Sequence, residues 1–258
     1  ICRKKKKKFG ASVWDEKLVS EFKDYLDFYK VGSGDITNYQ LIKEILKTKK
    51  PVIFSTGLSS INEIENLIKF INEEDSRYFT DKKIAILHCI TAYPANIEEC
   101  FLGNIDILKN KFKLPIGYSD HTLGDFVPML AVLRGAEIIE KHYSDDLKRK
   151  SFRDHQISMN KQMVDDFLKK MKLIPKILQI KNARLSQNEK KQNNFYLFRR
   201  SIFARRDILK GEIISIDDLI CLRPKIGICA SKIFEIVGCV TKKNIKANNV
   251  LNEKDIYL

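Results

Sequence analysis

Two periods of apolar residues alternate along the first 180 positions of the sequence. Short apolar runs, typical of buried strands, are each followed by a segment whose apolar residues recur every three or four positions, as on one face of a helix. This alternation predicts six strands, at 9–14, 28–32, 51–54, 84–90, the start of 114–122, and 136–139. It predicts helices at 16–26, 39–46, 60–71, 105–112, 123–133 and 162–180. Strands that alternate with helices form βαβ units, so the sequence predicts an α/β fold with a parallel sheet.

Polar residues follow every predicted strand except the first. A (β/α)8 TIM barrel carries its site at the carboxyl ends of all its strands, whereas a doubly wound sheet concentrates ligand residues at one switch point. The spread of polar residues therefore favours the barrel. Because six strands do not close such a barrel, we expect either that two strand–helix units precede residue 1 or that the fold is unusual.

The stretch 114–122 holds a concentration of reactive side chains, since its apolar start leads into Ser119, Asp120, His121 and Thr122. Of the four histidines in the sequence, three end or closely follow an apolar run, and the fourth lies in the loop after the last of these runs: His88, His121, His142 and His155. Histidines placed at random would more often be ordinary surface or core residues. Their shared placement indicates candidate chemistry at the strand ends.

The sequence changes character after the last long helix. Residues 181–195 are polar and predict a linker between a barrel domain at 1–180 and a smaller domain at 196–258. Within the smaller domain, 207–219 is similar to 244–256 at an offset of 37 positions. Gly211 and Asn248 coincide in the two copies, as expected where both need a left-handed turn residue. We expect two similar halves made mostly of short strands and turns.

Composition excludes some classes of protein. The 258 residues are 44% hydrophobic, and no apolar run approaches the roughly 18–20 residues of a membrane span. The basic start at 1–9 lacks the apolar segment of a signal peptide. A net charge of +14 suits nucleic acid, but the lysines are spread over helix faces without an aromatic-interleaved stripe. We therefore expect no membrane or nucleic-acid partner, and an anionic small substrate suits the charge equally well.

The six cysteines form no CxxC pair, which indicates reduced thiols in a cytoplasmic protein. Cys89, beside His88, is either a nucleophile or a buried core residue. Its position inside an apolar run favours the buried residue.

Five strand-end motifs occur in order: KVGSGD at 30–35, FSTG at 54–57, LHCITAYP at 87–94, GYSDHT at 117–122 and IEKH at 139–142, followed by RP at 223–224. Together they resemble the N-acetylneuraminate (sialic acid) synthase family, and 196–258 resembles the type III antifreeze-like (SAF) module of these synthases. The resemblance covers nearly the whole chain. It implies a (β/α)8 barrel in a domain-swapped homodimer. The implied reaction condenses phosphoenolpyruvate with an N-acylated hexosamine, such as N-acetylmannosamine, to give a nonulosonic acid and phosphate.

The resemblance also implies a divalent metal, usually Mn²⁺, held by His121 and His142. The local chemistry agrees, because both histidines end successive strands and can converge, and imidazole with water and substrate oxygens suits manganese-type ions. Mg²⁺ and Co²⁺ stay possible. Such an ion activates an aldehyde as a Lewis acid.

Other site residues are implied by matching positions in the family. Phosphoenolpyruvate needs fixed cationic and hydroxyl donors, and the matching positions are Lys30, Ser33, Ser55 and Ser119. Thr91 is expected to bind substrate as well. Positions that face the sugar and carry catalytic roles match Asp35, Tyr93 and Asp154. Arg223 matches an arginine that the SAF domain extends over the partner subunit's barrel. His88 is expected to be structural support, and Asp120 and Thr122 to brace their loop.

Some positions depart from the family pattern. Lys225 stands where Gly is usual, Ser-Phe-Arg at 151–153 replaces a glycine-rich approach to Asp154, and Thr91 stands where Asn or Ser is common. These departures concern sugar specificity more than reaction class. A larger one is that family members begin with two further strand–helix units, which carry an acidic residue and a lysine. Together with the missing initiator Met, this predicts an N-terminally truncated sequence with little activity alone.

Two alternatives stay open. The chain could be a non-catalytic fragment, or a paralogue that only binds a sugar or a partner. It could also be another metal-dependent enzyme that condenses phosphoenolpyruvate, although the SAF-like domain argues against that. The acceptor is open among N-acetylmannosamine, its 6-phosphate and a diacetamido dideoxy hexose.

Overall fold

The computed structural model describes residues 2–148, 152–179 and 186–257, in two units, Ile1–Gln179 and Ile180–Leu258. The first unit contains six strands: β1 (Gly10–Ser12), β2 (Phe28–Val31), β3 (Val52–Ser55), β4 (Ile84–Cys89), β5 (Ile116–Asp120) and β6 (Ile138–Lys141). They pair in chain order, and every pairing is parallel. The curled sheet has the form of half a barrel. The predicted number of strands is confirmed, and their consecutive order differs from that of a doubly wound sheet.

Helices connect these strands: α1 (Glu16–Phe22), α2 (Tyr39–Lys47), α3 (Ile61–Asp75), α4 (Arg77–Thr80), α5 (Asn104–Phe112), α6 (Phe126–Leu133), α7 (Asp154–Ile157) and α8 (Lys161–Ile177). Ser60 and Glu63 form a capping box at the start of α3. The helix α6 begins three residues later than predicted, because Gly124 adopts a left-handed φ of 75° just before it. In the described parts of the chain, no helix combines the length and apolar character needed to cross a bilayer.

The sheet has two faces of opposite character, because successive strand residues point to opposite sides. The helix-side face packs in one buried cluster with the helices; its strand residues are Tyr29, Val31, Val52, Phe54, Ile84, Ile86, Ile116 and Tyr118. The residues that alternate with them form the inner face, which includes Lys30, Ser55, Leu87, Cys89, Ser119 and Glu140. The apolar period therefore builds the core on one side and leaves the other side for polar groups at the strand ends.

The second unit contains two antiparallel strand pairs. β7 (Ser201–Ala204) pairs with β8 (Leu219–Leu222), and β9 (Val240–Thr241) pairs with β10 (Ile256–Tyr257). Ile208 and Ile245, which are equivalent in the repeat, exchange two backbone hydrogen bonds of 2.8 Å. Gly211 and Asn248 have φ angles of 84° and 64°. The two copies of the repeat thus meet at the centre of this unit, and the predicted left-handed turn residues are confirmed.

The segment 181–195, predicted to be a linker, is partly helical where the structure describes it, and its role as a linker stays a prediction. The helix α9 (Gln187–Lys191) lies within this segment. A second helix, α10 (Asn194–Phe198), begins at its end. Ser186 and Glu189 form a capping box at the start of α9, a local signal inside a segment whose polarity suggested a linker. Residues 180–185 lie outside the described residues. The short helices α4 and α7 and, in the second unit, α11 (Ile233–Ile236) were not predicted either.

Candidate active site at the strand ends

Polar side chains of the inner face gather at the carboxyl end of the sheet. Ser55 ends β3, Cys89 ends β4, and Cys89 is in register with Ser119 on β5. Ser119 is in turn in register with Glu140 on β6. Because parallel strands all end at the same edge of a sheet, residues that are distant in sequence form one site there.

The hydroxyls of Ser33 and Thr91 lie against Gly57. The Gly57 N–H donates to Ser33 Oγ at 3.0 Å. A Cβ at Gly57 would lie 2.1 Å from Thr91 Oγ1 and 2.8 Å from Ser33 Oγ, so a glycine is needed for this approach. Among the described residues, the buried hydroxyls of Thr91 and Ser55 have no hydrogen-bond partner. Buried hydroxyls are normally bonded, so these two are free to donate to a ligand.

Lys30 and Ser119 both contact Glu140. Ser119 Oγ donates to Glu140 Oε1 at 2.6 Å, and Lys30 Nζ lies 3.6 Å from Oε2. The Lys30 side chain is 13% exposed. A cation this buried needs a negative partner, which Glu140 supplies. An anionic ligand that binds at this edge would therefore compete with Glu140 for the same donors.

The imidazole rings of His121 and His142 lie side by side, with centroids 5.3 Å apart. Nδ1 of His121 is 2.7 Å from the carbonyl oxygen of Ile90. A carbonyl only accepts, so Nδ1 carries the proton and Nε2 of the neutral ring keeps its lone pair. Burial is the largest influence on the pKa of His121 and acts to lower it, but the Cys89 thiol and the Ile90 carbonyl outweigh burial and raise the pKa.

Asp154 orients the second histidine. Its Oδ2 lies 3.4 Å from Nδ1 of His142, which favours a proton on that nitrogen and leaves the lone pair of Nε2 available. Burial lowers the pKa of His142, against the attraction of the Asp154 carboxylate, so the neutral ring is favoured. Oδ1 of Asp154 is buried and accepts no hydrogen bond among the described residues.

These donor atoms fit a divalent ion held by two imidazoles. Both rings offer Nε2, and an acceptor holds each Nδ1, as is usual behind a bound metal. Across 2–148, 152–179 and 186–257, no group of three or more His, Cys, Asp or Glu side chains has the arrangement of a metal site. Two protein ligands leave the other positions to water and substrate oxygens, which suits an ion that binds its substrate directly.

Two further side chains, those of Tyr93 and Arg153, stack beside the histidine pair. The Tyr93 ring lies 4.2 Å from the His121 ring and 6.0 Å from the His142 ring, centroid to centroid. The Arg153 guanidinium lies 4.4 Å from the centroid of Tyr93, a cation–π contact. Burial raises the pKa of Tyr93, so its phenol is protonated at neutral pH and can donate to a ligand.

The predicted supporting residues are confirmed in that role. Asp120 Oδ1 accepts from the N–H and the hydroxyl of Thr122, and both residues are fully buried. His88 lies on the helix-side face, where its Nε2 donates to the carbonyl of Cys100 at 2.8 Å. Cys89 is 3% exposed, so its predicted burial is also confirmed. A cavity of about 660 Å³ between α3 and α5 is lined by His88 and does not include Lys30, Ser119 or the histidine pair.

Two predicted site residues are not joined to the others. Asp35 lies on the short turn Ser33–Asp35, and within the described chain its carboxylate makes no hydrogen bond or ion pair. Arg223 is an exposed residue of the second unit, and its guanidinium lies 5.6 Å from the ring of Phe198. The roles expected for both remain predictions.

Two residues enter the site without having been predicted. Glu140 belongs to the IEKH motif, and its signal was the alternation that puts it on the same face as Ser119. Arg153 belongs to the segment that departs from the glycine-rich family pattern, and this departure is the sequence feature that could have identified it as a site residue. In both cases the contact depends on how neighbouring segments meet, which no local pattern reveals.

A cation, several hydroxyls and a histidine pair at the carboxyl edge of a parallel sheet define an α/β protein with a strand-end ligand site. The chain belongs to the NeuB family, whose model matches residues 1–183, and an SAF domain model matches residues 199–256. The predicted family resemblance and the SAF domain are thereby confirmed.

Relatives of this chain include proteins named as synthases of N,N'-diacetyllegionaminic acid and of pseudaminic acid. The chain is 36% identical over 228 residues to the N,N'-diacetyllegionaminic acid synthase of Campylobacter jejuni, which covers 88% of this chain and 66% of the relative. It is 32% identical over 231 residues to a pseudaminic acid synthase of C. jejuni, covering 88% of this chain and 64% of the relative. The chain thus spans just under two thirds of the length of these curated relatives.

A solved structure supports the same relationship. The crystal structure of N-acetylneuraminic acid (sialic acid) synthetase from Leptospira borgpetersenii, in complex with citrate, is 32% identical to the chain. The match has a TM-score of 0.64 and covers 75% of this chain and 66% of the other. The half-barrel sheet therefore has the fold of this family.

Proposed function

We propose that the protein condenses phosphoenolpyruvate with an N-acylated hexosamine to form a nonulosonic acid and phosphate. The observation that carries this proposal is the placement of Lys30 and two unpartnered hydroxyls, of Ser55 and Thr91, at the sheet edge that also holds the histidine pair. The names of the relatives, as synthases of legionaminic, pseudaminic and sialic acids, support the same class of product.

The inner-face donors would bind phosphoenolpyruvate. Lys30 supplies positive charge, and the hydroxyls donate hydrogen bonds to phosphate and carboxylate oxygens: Ser33, Ser55, Thr91 and Ser119. The anion displaces Glu140 from Lys30 and Ser119. C3 of phosphoenolpyruvate then bonds to the aldehyde carbon, water adds at C2, and phosphate leaves by cleavage of the C–O bond. The displaced Glu140 carboxylate would accept one proton of that water. The second proton leaves with the phosphate as C2 becomes a carbonyl, and the aldehyde oxygen takes up a proton.

The histidine pair would hold a divalent ion through Nε2 of His121 and His142, with Mn²⁺ proposed and Mg²⁺ or Co²⁺ as alternatives. Such an ion, when bound, polarises the aldehyde oxygen as a Lewis acid. Asp154 keeps His142 in the tautomer that offers Nε2. Tyr93, whose ring lies 4.2 Å from the His121 ring, would contact the acceptor sugar.

The finer architecture belongs to the same proposal. The six strands would be six of the eight in a (β/α)8 barrel, which their consecutive parallel order supports. Arg223, an exposed residue of the SAF domain, would reach the site of the partner subunit in a homodimer. Asp35 would contact the acceptor sugar.

Phosphate release tests the proposal. The natural full-length protein is incubated with phosphoenolpyruvate, Mn²⁺ and each of three acceptors, which are N-acetylmannosamine, its 6-phosphate and a diacetamido dideoxy hexose. We expect release only when both an acceptor and the ion are present. Replacing both His121 and His142 by Ala should lower the rate about 10³-fold, because several kcal/mol of Lewis-acid stabilisation are lost.

His88→Gln is the matched histidine control, since glutamine keeps a donor for the Cys100 carbonyl on the helix-side face. A double histidine variant that releases phosphate at the wild-type rate would refute the metal assignment. Sugar binding without phosphate release under any of these conditions would instead favour a non-catalytic, sugar-binding chain.

A further inference from the structure

An ion pair lies directly behind the histidine pair. Asp120 precedes His121 at the end of β5, and Lys141 precedes His142 at the end of β6. The register of the two strands sets Asp120 opposite Lys141. Each candidate metal ligand is therefore the next residue in the chain after one member of a cross-strand ion pair.

This ion pair is buried and well connected. The Asp120 side chain is fully buried and that of Lys141 is 8% exposed, with 2.5 Å between Nζ and Oδ2. Lys141 Nζ also donates to the carbonyl oxygen of Thr122. The second carboxylate oxygen of Asp120 accepts from the backbone N–H and the hydroxyl of Thr122. The chain on both sides of His121 is thus tied to the residue that precedes His142.

Alternation along the strands separates the two pairs. Asp120 follows Tyr118 and Lys141 follows Ile139 at spacings of two, and both of those residues belong to the helix-side cluster. His121 and His142 come one position later, and the His121 ring contacts Cys89, a residue of the inner face. The ion pair therefore occupies the helix side of the same strand ends whose other side holds the histidines.

A buried ion pair gains little net stability over apolar side chains of the same volume, because desolvation of the charges offsets their attraction. Its distinguishing property is geometric, since two opposite charges with further hydrogen bonds admit few arrangements. Here the ion pair links the end of β5 to the end of β6. The relative position of these two strand ends determines the distance between the histidines that follow them.

We propose that Asp120 and Lys141 are positioning residues that hold His121 and His142 at the separation needed to bind a divalent ion. This inference rests on the proposed metal role of the two histidines. Neither residue needs to touch the ion or the substrate. Their effect is on ion affinity, so it is measurable without turnover.

Mn²⁺ affinity of the full chain, measured from the electron paramagnetic resonance signal of free Mn²⁺, tests the inference. Lys141→Met and Asp120→Asn should each weaken binding about 10- to 100-fold, the usual loss when a residue that orients a metal ligand is removed. Lys141→Arg keeps the charge and should bind within about threefold of wild type. Because each single change strands one buried charge, the double variant Asp120→Asn/Lys141→Met removes both charges and decides the matter if a single variant fails to fold.

Asp75→Asn is the matched control for loss of a buried carboxylate. Asp75 ends α3 and is paired with Arg77 and Lys49. Because Lys49 lies just before β3 begins, at the opposite end of the strands from the histidines, Mn²⁺ affinity should not change. A folded double variant with wild-type Mn²⁺ affinity would overturn the inference. If His121→Ala also binds Mn²⁺ as wild type does, the metal role itself fails, and the two failures are thereby distinguished.

Discussion

The helix-side face and the inner face of the six-stranded sheet come from the same strands but serve different ends. On the helix side, Phe54, Ile86 and Tyr118 are completely buried among apolar neighbours. The neighbouring position on the inner face holds Ser55 next to Phe54 and Ser119 next to Tyr118. The helix-side face packs against apolar neighbours, although the buried Tyr118 hydroxyl also lacks a hydrogen-bond partner among the described residues, whereas the inner face presents several polar side chains.

The inner face contains groups that lower stability unless something binds them. A buried hydroxyl without a partner costs about 1–3 kcal/mol, and Ser55 and Thr91 each carry one. Local consistency of packing and hydrogen bonding is usually broken at functional sites. The comparison therefore separates positions that stabilise the fold from positions reserved for a ligand. Substitutions on the helix-side face should lower the free energy of unfolding, whereas substitutions on the inner face should lower ligand affinity.

The largest effect on stability is expected on the helix-side face. Ile86→Ala should lower the free energy of unfolding by about 2–5 kcal/mol, because it removes a fully buried side chain at the centre of the core. Urea unfolding followed by circular dichroism measures the change. Ser55→Ala, one position along β3 from the buried Phe54, is the inner-face control and should not destabilise the chain. An Ile86→Ala variant as stable as wild type would mean that this face is not the core.

The second prediction is that substitutions on the inner face lower ligand affinity without lowering stability. Ser55→Ala and Thr91→Val remove hydroxyls that lack partners, so the free energy of unfolding without ligand should stay the same or rise by about 1 kcal/mol. Phosphoenolpyruvate affinity, measured by isothermal titration calorimetry, should fall about tenfold or more for each, since a hydrogen bond to a charged group contributes about 1.5–3 kcal/mol. If either variant destabilised the chain and left phosphoenolpyruvate affinity unchanged, the distinction between the two faces would be wrong.

Sequence patterns predict one of these faces well. The spacing of apolar residues in 28–32, 51–54 and 84–90 predicts the strands, and the same alternation identifies the core side. That polar residues gather at one edge follows from the parallel strands, whereas the individual site residues could be named because they match positions of the resembled family. The spacing of apolar residues thus indicates which residues lie at the strand ends, because the pattern of each strand can be read without the others.

The connections between those residues were not predictable in the same way. The contact of Ser119 with Glu140 and the ion pair of Asp120 with Lys141 depend on the register of β5 against β6. Parallel register is fixed by packing across the whole sheet, and the two strands are joined through a helix and not by a tight turn. The stacking of Arg153 on Tyr93 likewise depends on how a loop folds back over the site.

The smallest expected effect is on the pH dependence of stability. It concerns a charged residue in the helix layer whose carboxylate is fully paired, unlike the hydroxyls of the inner face. Asp75 at the end of α3 has a side chain that is 7% exposed, and it accepts from Arg77 and Lys49. Hydrogen bonds from Arg77, and then from Lys49, hold the pKa of Asp75 well below its usual range. Unlike the inner-face hydroxyls, this buried polar group should contribute to stability.

That contribution should depend on pH with a definite sign. Where the folded pKa is lower than the unfolded pKa of about 3.9, the unfolded chain binds more protons as the pH falls, so acid favours unfolding. The advantage of wild type over Asp75→Asn should be complete above about pH 5 and shrink steadily towards pH 3. Paired urea titrations of the two proteins at pH 6, 4.5 and 3 measure it. A difference that stays constant across this range would show that the Asp75 carboxylate has the same pKa in the folded and unfolded chains, and that pairing in the helix layer does not stabilise its charge.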